Sequence, residues 1–188
     1  MGRWQPDARG RLAQAAFALY RERGFEQTTV AEIAERAGLT ERTFFRHFAD
    51  KREVLFAGAP ALQELLVRTV AEAPASLAPI EVAAAGLEAA GAFIQEGGDL
   101  AQQRQTIIAA SAELQERELI KLASLAAALA DALRARGVED PAASLTAEAG
   151  IAVFKVAFES WVAGDSGEDL PASIRASLDQ LTAVTARR

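Results

Sequence analysis

The chain has 188 residues, 51% of them hydrophobic and 24% charged, with a formal net charge of −6. That length can bury a real core in one domain or two small ones, while charges interrupt every apolar run before the roughly 20 residues a membrane span requires. With no cysteine and His47 as the single histidine, the chain offers no disulfide framework, no thiolate zinc site, no thiol nucleophile and little material for histidine-based catalysis or metal binding, so no cofactor is expected.

Residues 1–6 lack the apolar run of a secretion signal, which predicts a cytoplasmic protein. Residues 1–56 hold ten Lys/Arg against eight Asp/Glu, a net +2, whereas residues 57–188 hold ten against eighteen, a net −8. A mildly basic head on an acidic body suits local phosphate contact with the body held away from DNA by repulsion. The head is placed at residues 1–52 and the body at 53–188.

From residue 7 to 23 the apolar side chains Leu12, Ala15, Ala16, Leu19 and Tyr20 recur at helical spacing, and Gly24 ends that helix. Thr29 with Glu32 fits a capping box opening a short helix that Gly38 closes. Thr40 can then cap a helix of about two turns over 41–48, in which Phe44 and Phe48, four apart, are the core anchors. Two short helices joined by a glycine-containing turn make a helix-turn-helix, whose second helix enters the major groove. Asp50, with Glu53 three residues on, is expected to cap a fourth helix that runs through a kink at Pro60 to about Glu72.

In the body, Pro79 is placed at the first position of a helix that Gly97 and Gly98 stop, and Asp99 caps a short helix through Ile107 and Ile108. A longer helix carries Leu122, Leu125, Leu129 and Leu133 and ends at Gly137. Asp140 and Pro141 open a helix with two apolar faces, and Pro171 opens the last. Apolar surface in excess of one core predicts pairing of two chains across a two-fold axis, through Leu145, Ala149, Ala152, Val153 and Val156 with Ile174, Leu178 and Leu181. Phe93, Ile107, Ile108, Phe154, Phe158 and Trp161 are candidates to line a ligand cavity, with ordinary core packing as the competing reading.

The order of features in residues 9–56, about a quarter of the chain, resembles the N-terminal domain of the TetR (tetracycline repressor) family of bacterial transcriptional regulators. The matching positions are Arg11, Ala16, Gly24-Phe25, Thr28-Thr29-Val30, Ile33-Ala34, Ala37-Gly38-Leu39-Thr40, Thr43-Phe44-Phe45, His47-Phe48, Lys51 and Leu55. The resemblance implies an all-α fold of about nine helices. A three-helix N-terminal DNA-binding domain would precede a helical ligand-binding and dimerisation domain, in a homodimer that binds a palindromic operator and is released by a small-molecule inducer. The candidate DNA contacts are Thr28, Thr29, Thr40, Arg42, Thr43, Phe45, Arg46, His47 and Lys51, of which the resemblance itself marks Thr43, Phe45 and His47 as contact positions.

Chemistry gives several of these a role. Arg42 or Arg46 can grip guanine O6 and N7 with a bidentate fork, or clamp phosphate without reading sequence. His47 and Lys51 are expected on phosphate, Lys51 from the first turn of the next helix. Phe45 stands where tyrosine is commoner, so a phenol-to-phosphate hydrogen bond is replaced by apolar contact with sugar or a thymine methyl. Arg3 and Arg9 can form an arm toward the minor groove. Two other classes compete with a regulator: an enzyme acting on an apolar substrate in the body, which lacks a catalytic constellation, and an interaction module without DNA binding, against which Arg42, Arg46 and Lys51 speak.

Overall fold

The computed structural model describes residues 8–164 and 169–186. Among these there are nine α-helices and no strand: α1 (Ala8–Arg23), α2 (Val30–Arg36), α3 (Glu41–His47), a 3-10 turn (Arg52–Val54), α4 (Ala59–Glu72), α5 (Pro79–Glu96), α6 (Asp99–Ala109), α7 (Ala112–Ala135), α8 (Ala142–Ala163) and α9 (Leu170–Thr185). The all-α reading holds. Arg3 lies outside the described residues.

The chain forms two compact units, one reaching to Gly58 and including Gln103–Glu118, the other made of Ala59–Gln102 and the residues from Leu119 on. The sequence pattern ends the first at residue 52. Compactness carries it further because Val54, Leu55, Phe56, Ile107, Ile108 and Leu114 complete the core that Leu12, Leu19, Tyr20, Ile33, Phe44 and Phe48 begin. Each fully buried side chain of this size contributes about 1.5–3 kcal/mol.

Local signals set most boundaries in the N-terminal unit. Gly38, at φ +64°, closes α2 with a Schellman pair: its N–H donates to Glu35 O at 2.9 Å and that of Leu39 to Ala34 O at 2.8 Å. The expected fourth helix is instead two elements. Asp50 Oδ1 accepts from the N–H groups of Arg52 at 2.8 Å and Glu53 at 3.2 Å, capping only the 3-10 turn. Helix α4 starts at Ala59, so Pro60 sits in its first turn, where its missing N–H costs no internal bond and no kink forms.

In the second unit α5 is the central packing element, burying Val82, Ala83, Gly86, Leu87, Ala90 and Gly91. A Cβ on Gly86 would lie 2.8 Å from Val70 Cγ2 and 3.3 Å from Leu66 O, so α4 can approach α5 closely only because that side chain is absent. The C-terminus of α4 is satisfied by Arg136, whose guanidinium donates to the carbonyls of Val70 at 3.0 Å, Ala73 at 2.8 Å and Pro74 at 3.0 Å. Asp169 caps α9 through Ala172 N–H at 2.8 Å, and Gln95 Oε1 accepts the N–H of Leu170 at 2.7 Å. Helix α8 begins at Ala142, one residue later than the expected proline start.

The late helices divide differently from the expected dimer face. Ile174 is fully buried and Val153 nearly so, both in their own unit's core. Ile174 is removed from the surface, because the single-chain core already covers it, whereas Val153 keeps an edge on the α8–α9 groove. Leu145 and Val156 are 65% and 59% exposed, Ala152 is exposed, and Ala149, Leu178 and Leu181 are half-buried. A shallow groove between α8 and α9 is lined by Ala152, Val153, Val156, Ala176, Ser177, Gln180 and Leu181.

Candidate nucleic-acid interface

Helix α3 is built from its two ends inward. Thr40 caps it, its hydroxyl accepting from Thr43 N–H at 3.2 Å. Phe44 is fully buried and Phe48, at the C-cap, is 4% exposed, with ring centroids 5.5 Å apart. At about 100° per residue this anchoring turns Glu41, Arg42, Phe45 and Arg46 to one outward arc of about 140°. All four are exposed, and neither arginine meets a hydrogen-bond or ionic partner among the described residues. Unpaired guanidiniums held on a rigid, capped helix suit either a guanine edge or a phosphate.

Thr43 is half-buried, its hydroxyl 3.1 Å from that of Thr40. His47 is half-buried as well, and its Nε2 is closed off from solvent without a hydrogen-bond partner among the described residues. The expected phosphate contact is therefore closed to Nε2, leaving Nδ1 as the only ring nitrogen for it.

Three further residues expected at the DNA make hydrogen bonds within the protein. Thr28 is 1% exposed and donates its hydroxyl to Gly24 O at 2.9 Å, which takes it off the surface. Thr29 completes the capping box: its hydroxyl accepts from Glu32 N–H at 3.2 Å, while Glu32 Oε2 accepts from the Thr29 N–H and hydroxyl, each at 2.9 Å. The backbone N–H of Thr29, its hydroxyl and then the Arg23 guanidinium hold the Glu32 carboxyl below its ordinary range. Lys51 departs furthest from expectation. Its ammonium donates to the carbonyls of Phe25 and Thr28, both at 2.9 Å, and lies 3.5 Å from Glu26 O and 4.2 Å from the Phe25 ring centroid. It ties the α1–α2 connection to the segment after α3, because a half-buried ammonium needs three acceptors and these carbonyls, that of Phe25 already accepting from Thr28 N–H at 3.2 Å, are the ones within its reach.

The same hub involves Tyr20, whose hydroxyl donates to Lys51 O at 2.6 Å. Burial, and secondarily the charge of Asp50, raises its phenol well above the usual tyrosine range. Asp50 is partly buried, which opposes its charge, yet the guanidinium of Arg52 and the N–H groups of Glu53 and Arg52 outweigh that and lower its pKa.

Sequence reasoning missed the side chains that brace this surface from behind. Arg11 donates to Ala37 O at the end of α2, and Arg9, expected as an arm, donates to Ala57 O at 3.1 Å and lies over the Phe48 ring. Arg104 donates to Leu55 O at 2.7 Å, sits over the Phe56 ring and pairs with Glu118 at 3.2 Å. Its burial lowers its pKa, against the pull of Glu118. Arg117 Nε donates to Glu53 at 2.6 Å. Only the arginine's position among apolar residues of α6 hinted at Arg104, and periodicity does not say which core it joins.

The six residues expected to line one ligand cavity are divided between the two units. Ile107 and Ile108 belong to the core of the N-terminal unit, and Phe154, Phe158 and Trp161 to that of the second. There Phe158 stacks on Phe154 at 6.0 Å and tilts against Trp161 at 6.0 Å, while Phe93 is 38% exposed. Helical spacing predicted the burial of Ile107, Ile108 and Phe154 but not which core each joins. Neither the α8–α9 groove nor a second concavity, bounded by Leu77, Leu133 and Arg136, includes any of the six. No cluster of His, Asp and Glu suited to a metal occurs among the described residues.

Residues 12–57 match the family described as bacterial regulatory proteins, tetR family, and residues 77–186 match the family described as MftR C-terminal domain. The chain is 34% identical over 89 residues to the HTH-type transcriptional regulator TcmR of Streptomyces glaucescens, covering 47% of this chain and 39% of that one. It is 43% identical over 47 residues to the repressor KstR2 of Mycobacterium tuberculosis, covering 25% of this chain and 24% of that one. These matches thus span well under half of either relative's length. Over its whole extent the fold is similar to that of Thermus thermophilus FadR, a TetR-family repressor solved with lauroyl-CoA, at 25% identity and a TM-score of 0.55, covering 96% of both chains. It is also similar to SmeT of Stenotrophomonas maltophilia, at 21% identity and a TM-score of 0.62, covering 95% of this chain and 90% of that one. With both segments matched, and the second spanning more than half of the sequence, the chain belongs to the TetR family of bacterial regulatory proteins.

Proposed function

We propose that this protein is a ligand-responsive transcriptional repressor, not an enzyme, that binds a palindromic operator as a homodimer. The observation that carries the reading is the outward arc of α3, where Arg42 and Arg46 project without partners among the described residues from a helix capped by Thr40 and anchored by Phe44. In this reading Arg42 grips a guanine edge, Arg46 grips base or phosphate, and Thr40 and Thr43 border the contact. Two such helices spaced about 34–36 Å apart would enter successive major grooves. The exposed Leu145, Ala152 and Val156 of α8, with the groove to Leu181 of α9, supply the self-complementary apolar surface a two-fold pair needs.

An inducer acts by favouring a form whose recognition helices no longer match that spacing. Preferring it by ~100-fold shifts the equilibrium by about 2.7 kcal/mol. The inducer is a small molecule held by the C-terminal unit, and because FadR is recorded with lauroyl-CoA, long-chain acyl thioesters are the first class to screen. Gel-shift on genomic fragments across a salt series tests the reading. The wild-type protein should select particular fragments with an affinity that falls steeply with salt, and Arg42→Ala should lose that selectivity. Binding that is absent or insensitive to salt overturns it.

A further inference from the structure

Resting on the DNA-binding reading above, we infer that Phe45 reads the C5-methyl group of a thymine in each operator half-site. Phe45 is 55% exposed, and among the described residues of the N-terminal unit it is the one large hydrophobic side chain that is mostly exposed, Phe17, Val30 and Leu39 being half-buried against the core; the other exposed ones, from Leu77 to Val184, lie in the second unit. It does not belong to that unit's core. Near the middle of the outward arc of α3, it is flanked by Arg42 on one side and Glu41 on the other, with Arg46 next in sequence, all exposed. A polar, groove-facing helix thus holds one apolar group at its centre.

Its ring is also held in place. The fully buried Phe44 meets it edge to face, with centroids 5.5 Å apart and planes at 84°, so the exposed ring is braced by a side chain the core fixes. A phenyl ring has no hydrogen-bonding group for a phosphate, a guanine or an adenine edge. Among the groups a base pair presents in the major groove, the thymine methyl is the apolar one, and contact with it removes both the methyl and the ring from water. The inference therefore assigns Phe45 a part in sequence choice that the two arginines cannot supply, since their forks favour guanine or phosphate.

The test uses the full chain. Its preferred duplex is selected from a random pool, each thymine in the half-site is replaced in turn by deoxyuridine, which differs only by the methyl, and affinity is measured by fluorescence anisotropy at one salt concentration. At one thymine position the wild-type protein should lose affinity roughly fourfold per half-site, the worth of one methyl taken out of water. Phe45→Ala should bind the two duplexes equally, Phe45→Tyr should keep the preference, and Arg46→Ala should weaken both while keeping their ratio. Equal binding of thymine and deoxyuridine duplexes by the wild type, or a preference that survives in Phe45→Ala, overturns the inference; uniform weakening by Phe45→Ala with no thymine preference in the wild type assigns the ring to a sugar instead. If no sequence is enriched at all, the DNA-binding reading fails and this inference with it.

Discussion

Lys51→Met removes an ammonium while keeping an unbranched apolar stem, and it separates two roles that the same residue was open to. The ammonium makes two hydrogen bonds of 2.9 Å to the carbonyls of Phe25 and Thr28 and sits 4.2 Å from the Phe25 ring centroid. Charged hydrogen bonds at the lower end of their range, with partial exposure reducing them, plus a modest cation–π contribution, amount to about 2–3 kcal/mol. For a chain of this length that lowers the melting temperature by roughly 4–12 °C if unfolding is cooperative. Differential scanning calorimetry on wild type and variant measures it. In parallel, the slope of log affinity against log salt on the operator should be unchanged at a temperature where both are folded, because no phosphate contact is lost. A slope that falls by about one, the signature of a released phosphate contact, together with an unchanged melting temperature would refute the internal-tie argument and restore Lys51 to the DNA.

Two further outcomes follow from the geometry. Asp50 has a folded pKa below its ordinary value of roughly 3.9, so its contribution to stability is complete above that ordinary value and is lost as pH falls through the lower folded one. Asp50→Asn should therefore flatten the stability profile on the acid side of about pH 5, by about 1 kcal/mol at most given the solvent screening of a partly exposed pair; urea melts from pH 6 to pH 3 that decline identically in variant and wild type contradict this. Val156→Glu places a charge where the side chain is 59% exposed in the single chain, so it should leave the fold intact and shift the micromolar sedimentation profile from dimer to monomer, while a variant that still sediments as the dimer removes Val156 from the interface.

What the amino-acid sequence settled was local. Thr29 with Glu32, Thr40, Gly38 and the Phe44/Phe48 spacing all lie within four residues of the groups they act on, and hydrogen bonds of that reach form wherever the helix forms, so the recognition helix and its outward face were legible before any coordinates. The apolar periodicity of the second half was equally legible as a set of amphipathic helices. It named the buried stripe of each and could not say what covers it: Ile107 and Ile108 were grouped with Phe154 and Trp161, yet they complete the other unit's core. Ile174 was assigned to a partner chain, yet it packs against α5, where a Cβ on Gly91 would come within 2.7 Å of its Cδ1. The fate of Lys51 was decided at the same level. A cation after a helix-turn-helix points toward phosphate by analogy alone, but its acceptors lie 23 and 26 residues away in sequence, and only the packing of Phe25 beside it brings their carbonyls within reach. Caps and turns are decided by near neighbours, whereas the direction of a long charged side chain is decided by which carbonyls the tertiary fold places beside it.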